Sequence, residues 1–239
     1  MTDENRYRFE ICANSVESCL AAQDGGADRV ELCAAIPEGG TTPSFGEIRQ
    51  ARNLLTKTRL HVIIRPRGGN FVYSATEVER MVADIEICRQ LGVDGVVFGC
   101  LTPDGDVDKA VCQCLIASAQ GMSLTFHRAF DRVKNPFVAM EDIIALGFNR
   151  ILTSGQQPTA EQGISLLREL QERALGRITL LAGSGVNETN IARIQHETGI
   201  REFHFSAREA VPTLSDPMFG TISRTTAERV RDTIQRLKP

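Results

Sequence analysis

Residues 9–44, FEICANSVESCLAAQDGGADRVELCAAIPEGGTTPS, carry one short pattern twice. Glu10-Ile11-Cys12 ends a first apolar run, and Glu31-Leu32-Cys33 ends a second. Between them Asn14, with Glu17 three residues on, opens a helix-like segment as a capping box, and Gly25-Gly26 closes it. Strand, helix, strand with a crossover of this length makes the two strands parallel. Side chains alternate along a strand, so Glu10 and Cys12 share one face and Glu31 and Cys33 share the equivalent one. Ile11 and Leu32 then point towards covering helices. Two carboxylates and two thiols are thereby expected at the C-terminal ends of neighbouring strands, where α/β folds place their sites.

The alternation continues outward from this unit. Ser44, with Glu47, opens the next helix as a capping box. Strands are expected over 60–65, from 93, over 123–127, 150–153, 178–182 and 202–205. Helices are expected over 76–91, 108–119, after Asn135-Pro136, over 159–175, from near Asn187 and from about Thr225. Each even-numbered strand is entered through a glycine that ends the preceding helix, at Gly26, Gly92, Gly147 and Gly199. Eight strand-plus-helix units in 239 residues predict a single (β/α)8 TIM-type barrel domain over 1–239. A doubly wound sheet would need a switch point, and the chain has no early glycine-rich nucleotide loop.

Composition bounds the partners. The net charge of −3 argues against a general affinity for nucleic acid. No apolar run approaches the roughly 20 residues that span a bilayer, so no membrane partner is expected. Seven cysteines, with a polar N-terminal segment in place of a secretory signal, fit a reducing cytosol and a cytoplasmic protein.

In such a barrel, polar residues at strand C-termini mark the site. Glu10, Glu31, Arg65, His127 and Arg128 are the catalytic candidates: carboxylates or imidazole for proton transfer, guanidinium groups for clamping an anion. Cys100, Thr153, Ser154 and His204 also fall at strand ends. The turn Gly183-Ser184-Gly185, with Ser206 and Arg208 beyond strand eight, resembles a phosphate cup. Cys12 and Cys33 could bridge a soft cation such as Cu(I). Cys112 and Cys114 lie two apart on a helix and do not face one another, so they are read as structural. His61 and His196 are placed away from the mouth. The four lysines, Lys57, Lys109, Lys134 and Lys238, avoid the strand C-termini, which disfavours Schiff-base chemistry.

Taken together, several stretches resemble the CutC family, named for copper homeostasis. They are EIC at Glu10, GADRVELC ending at Cys33, EGGTTPS ending at Ser44 and IRPRGGNF from Ile64. TFHRAFD from Thr125, ILTSG from Ile151 and AGSGV from Ala182 extend the match to about Arg208. The resemblance implies a cytoplasmic barrel, a homodimer and Cu(I) binding, with Cys12 and Cys33 as the matching thiols. The residues themselves leave a second reading open: an enzyme acting on a small anionic or phosphorylated compound, with copper not intrinsic to it.

Overall fold

Strand β1 (Arg8–Ala13) is hydrogen-bonded on one side to β2 (Arg29–Leu32) and on the other to β8 (Glu202–Phe205). That second pairing closes the sheet. Between them, in order around the barrel, run β3 (Arg59–Ile63), β4 (Gly95–Phe98), β5 (Ser123–Phe126), β6 (Arg150–Thr153) and β7 (Thr179–Gly183). Every pairing is parallel. The connecting helices are α1 (Val16–Asp24), α2 (Phe45–Leu54), α3 (Ala75–Gln90), α4 (Lys109–Ser118), α5 (Pro136–Ala145), α6 (Ile164–Ala174) and α7 (Ile191–Thr198). A final helix, α8 (Ala227–Gln235), ends the described chain. The (β/α)8 barrel expected from the alternation is therefore present. The computed structural model describes residues 6–214, 216, 218 and 220–237.

Capping chemistry fixes most helix starts. Ser44 and Glu47 form the expected reciprocal box at α2, and Ser74 with Glu77 does the same at α3. Asn135 caps α5, with Pro136 in the first turn. At α1 the cap is Ser15, one residue beyond the expected Asn14, and its hydroxyl accepts from the Ser18 amide. Asn14 instead donates to the carbonyl of Ser223 at 2.7 Å. Helix α7 starts at Ile191 and not near Asn187. The Asn187 side chain accepts from the Thr189 amide and the Asn190 side chain from the Asn187 amide, which hold 187–190 as a turn. Helix α6 likewise starts later than expected, at Ile164. Beyond the barrel, β9 (Arg208–Ala210) and β10 (Ser223–Thr225) form an antiparallel pair that the α/β alternation did not signal. The Thr225 amide ties this pair to α1 through the Ser18 hydroxyl at 3.1 Å.

The two faces of the sheet differ in kind. Outward side chains, among them Ile11, Val30, Leu32, Val62, Phe98, Phe126 and Phe203, are buried against the helices in one apolar cluster. Burying each is worth about 1.5–3 kcal/mol, so this layer supplies the main stabilisation. Inward positions are largely polar and still buried: Glu10, Arg29, Glu31, His61, Thr125, Glu202 and His204. Low in the barrel the Arg29 guanidinium donates to Glu10 and, at 2.8 Å, to Glu202. Burial alone would raise the Glu10 carboxyl, but the charges of Arg29, His204 and His61 outweigh it and take it down to about 2. His61 stands 3.8 Å from Glu10, inside the barrel and below the mouth. Burial keeps this imidazole neutral by pushing it well below its ordinary range.

Candidate functional site

Register decides which inward residues meet. Cys12 on β1 is level with Glu31 on β2, whereas Glu10 is level with Arg29 and with His204 on β8. The stagger of a closed barrel therefore sets the two Glu-x-Cys repeats one step apart. Cys12, Glu31 and Cys33 bring their sulfur and carboxylate atoms within 4.8 Å of one another. Glu10, Glu31 and His204 form a second, overlapping group on the same criterion, with Glu10 reaching it from below. His204 Nε2 lies 2.8 Å from Glu31 Oε2 and 3.8 Å from Glu10 Oε1.

The protonation of this group is uneven. Burial opposes a charged imidazole, yet hydrogen bonds with Cys12 and Glu31 and the charges of both carboxylates hold His204 well above its ordinary value. A hydrogen bond from Cys33, then those of His204 and the Arg208 charge, hold the Cys12 thiol well below its own, against burial. The same contact with Cys12, together with burial and Glu31, pushes Cys33 well above. Burial pushes Glu31 upward against the pull of His204. The group thus favours a charged imidazole at His204 and makes Cys12 the more acidic of the two thiols.

Above the thiols opens a cavity of about 320 Å³. Cys12, Glu31, Cys33 and His204 floor it, and Arg65, His127, Arg128, Ser184, Gly185 and Ser206 line its walls. Ten of the eleven residues expected at the site from sequence thus lie in or at the edge of one space, or directly beneath it as Glu10 does. Gly183 does not line the cavity; its lack of a side chain leaves room for the Leu152 side chain, whose Cδ1 an added Cβ would overlap, and for His204, whose Cβ would stand 3.2 Å away.

The two arginines are heavily engaged. Arg65 donates to the carbonyls of Glu38 and Gly40, each at 2.9 Å, and of Gly69 at 2.8 Å, pinning the loops after β2 and β3 together. Arg128 donates to Asp131 at 2.7 Å, Ser184 at 3.1 Å and Ser154 at 3.0 Å. Asp131 in turn accepts from the Ser154 amide at 3.0 Å and the Thr153 hydroxyl at 2.5 Å. His127 stands between these arginines in the chain and in the cavity wall. Its Nδ1 accepts from the Ala129 amide at 3.3 Å, which leaves the proton on Nε2. Burial, then the Arg65 charge, lowers His127 to about 3, so the ring is a neutral donor. Its Nε2 has no partner among the described residues.

Two members of the site were not singled out as site residues from sequence. His204 was visible only as one polar strand end among many, and its signal was the inward alternation of Glu202 and His204 on β8, continued by Ser206 just beyond it. Asp131 lies inside the TFHRAFD stretch, but on a short 3-10 turn over Arg128–Arg132 that has no strand periodicity to mark it. Cys112 is fully buried and Cys114 exposed on α4, and neither lines the cavity. All seven cysteines are free. No helix among the described residues is long and apolar enough to cross a membrane.

Comparison with known proteins agrees with the residue pattern. Residues 7–209 match the CutC family. A family protein CutC of Bacteroides thetaiotaomicron is 64% identical, over 98% of this chain and 99% of its own. The copper homeostasis protein cutC homolog of Homo sapiens is 47% identical, over 85% of this chain and 74% of its own. The crystal structure of the putative copper homeostasis protein CutC from Streptococcus agalactiae superposes with a TM-score of 0.81 at 35% identity. It covers 84% of this chain and 98% of that one.

Proposed function

The chain belongs to the CutC family, and we propose that it handles copper by holding Cu(I) between Cys12 and Cys33 at the mouth of the barrel. The observation that carries this reading is the approach of the two thiols and the Glu31 carboxylate to within 4.8 Å, in a buried pocket open at one side. The donor set fits the ion. Thiolate sulfur is soft and selects Cu(I), and the surroundings hold the Cys12 thiol well below its ordinary value, which favours the thiolate. Glu31 is a hard oxygen donor and serves better as the partner of His204 than as a ligand. His204 supports Cys12 by hydrogen bonding, the role outer-shell groups take around metal thiolates. Bound there, Cu(I) would remain in its reduced state, shielded from bulk water by the barrel wall. Seven free cysteines and the copper-homeostasis name of the human relative support the same reading, and both suit a cytoplasmic protein.

The test is a Cu(I) titration against a competing chelator under reducing conditions. Tight binding is expected in the wild type and in Cys112→Ser/Cys114→Ser, and loss of it in Cys12→Ser/Cys33→Ser. Undiminished binding in the latter would overturn the assignment.

A further inference from the structure

The thiols occupy only the β1–β2 side of the cavity, and its opposite rim has a different chemistry. After β7 the backbone turns through Ser184 and Gly185, both with positive φ, at 76° and 72°. Among the described residues, the amides of Ser184, Gly185 and Val186 donate to no protein acceptor, nor do those of Ser206 and Ala207 after β8. Five N–H groups on two adjacent loops at the rim of one cavity are thereby left available to a ligand. The first of these amides to be used again is that of Asn187, which bonds to the Asn190 side chain.

Three side chains add to this rim. Arg208 lines the cavity, and among the described residues its guanidinium has no hydrogen-bond acceptor or carboxylate partner. Ser206 also lines it, and its hydroxyl donates to nothing among the described residues. His127, whose buried Nε2–H has no partner among the described residues, belongs to the same lining. Every one of these groups is a donor. Arg128 holds Ser184 in place from behind through its 3.1 Å contact, and the Ser184 hydroxyl is anchored to the Pro158 carbonyl at 2.8 Å.

From this arrangement we infer that the loops after β7 and β8 bind the phosphate group of a small phosphate monoester, whose organic part extends across the cavity towards His127 and the thiols. A carboxylate has two oxygens and about four acceptor positions, too few for five amides, a hydroxyl and a guanidinium. The three terminal oxygens of a phosphate monoester, carrying close to two negative charges, match the number and sign of these groups. Barrels of this class commonly place phosphate after strands seven and eight, for the same reason of outward-turned amides. The ligand would share the cavity with the proposed copper site, but the inference stands on the donors of the rim and does not require copper.

The experiment uses metal-free wild-type protein, so failure of Cu(I) binding leaves it untouched. Inorganic phosphate, methyl phosphate and acetate are titrated by calorimetry, and backbone amide resonances are followed in parallel. The expected result is saturable binding of methyl phosphate at least as tight as that of inorganic phosphate, with little response to acetate. The amides at 184–186, 206 and 207 should shift. Arg208→Ala, which removes no side-chain hydrogen bond or salt bridge among the described residues, should weaken binding by about ten- to a hundredfold. No saturable binding, shifts confined to other residues, unchanged affinity in Arg208→Ala, or a clear preference for inorganic phosphate or acetate would overturn the inference.

Discussion

Glu31 Oε2 and His204 Nε2 stand 2.8 Å apart, joining two strands that are not hydrogen-bonded neighbours. Strand β1 runs between them, so the contact spans the interior and passes over Glu10. This pair, not either residue alone, sets the charge beneath the thiols. It also makes Glu31 a positioning residue for His204 and, through it, for Cys12.

Glu31→Gln removes the carboxylate charge while keeping the side chain's shape. His204 loses the carboxylate hydrogen-bonded to it, and the pH at which its ring deprotonates should fall, as for loss of an opposite charge in contact. Ring proton resonances followed across a pH series check this. An unmoved titration would mean that Cys12 and Glu10 alone hold the imidazolium.

Glu10→Gln tests the ionic layer below the site. It leaves Arg29 buried with one anion removed, which typically costs about 3–5 kcal/mol. The pH dependence carries a sign. Glu10 is lowered in the folded state from 4.5 to about 2. Its contribution is therefore fully present above pH 4.5 and is lost as pH falls from there towards 2. Over that window the wild type should lose roughly 3 kcal/mol that the variant does not have to lose. Urea unfolding at a series of acidic pH values measures both effects.

Gly95→Ala should destabilise the barrel although alanine fits a strand. A Cβ at Gly95 would meet His61 Nε2 at 2.5 Å and the two adjacent ring carbons at 2.7 Å. The ring has no free space to move into, since it is 1% exposed. Overpacking of this kind costs about 1–3 kcal/mol. In the double variant Gly95→Ala/His61→Ala the second change removes the clash, so the two costs should fall short of additive in a thermal or chemical unfolding cycle.

The barrel was legible because its units repeat: apolar outward residues such as Ile11 and Leu32 recur every unit, and glycines punctuate helix ends. Inward positions could be assigned by alternation alone, and Cys12, Glu31 and Cys33 do converge. Depth could not be assigned in this way. Alternation puts Glu10 and Glu31 on equivalent faces but is blind to the stagger between strands, which places Glu10 beside Arg29 and Glu31 beside Cys12. Loop contacts were equally hidden. Nothing in PRGGN around Arg67 shows that Arg65 will turn its guanidinium to the carbonyls of Glu38, Gly40 and Gly69, since backbone acceptors carry no residue signature. The β9–β10 hairpin escaped notice because three-residue strands are too short to establish a period.

Closure of the sheet between β1 and β8 has a consequence for biosynthesis. The thiols of Cys12 and Cys33 emerge with the first strands of the nascent chain, whereas His204 arrives with the last. Until that strand docks, Cys12 has no imidazole beside it, Glu31 has no counter-charge and the cavity has no eighth wall. The paired thiols acquire their full surroundings only in the finished chain, once the last strand has docked beside the first.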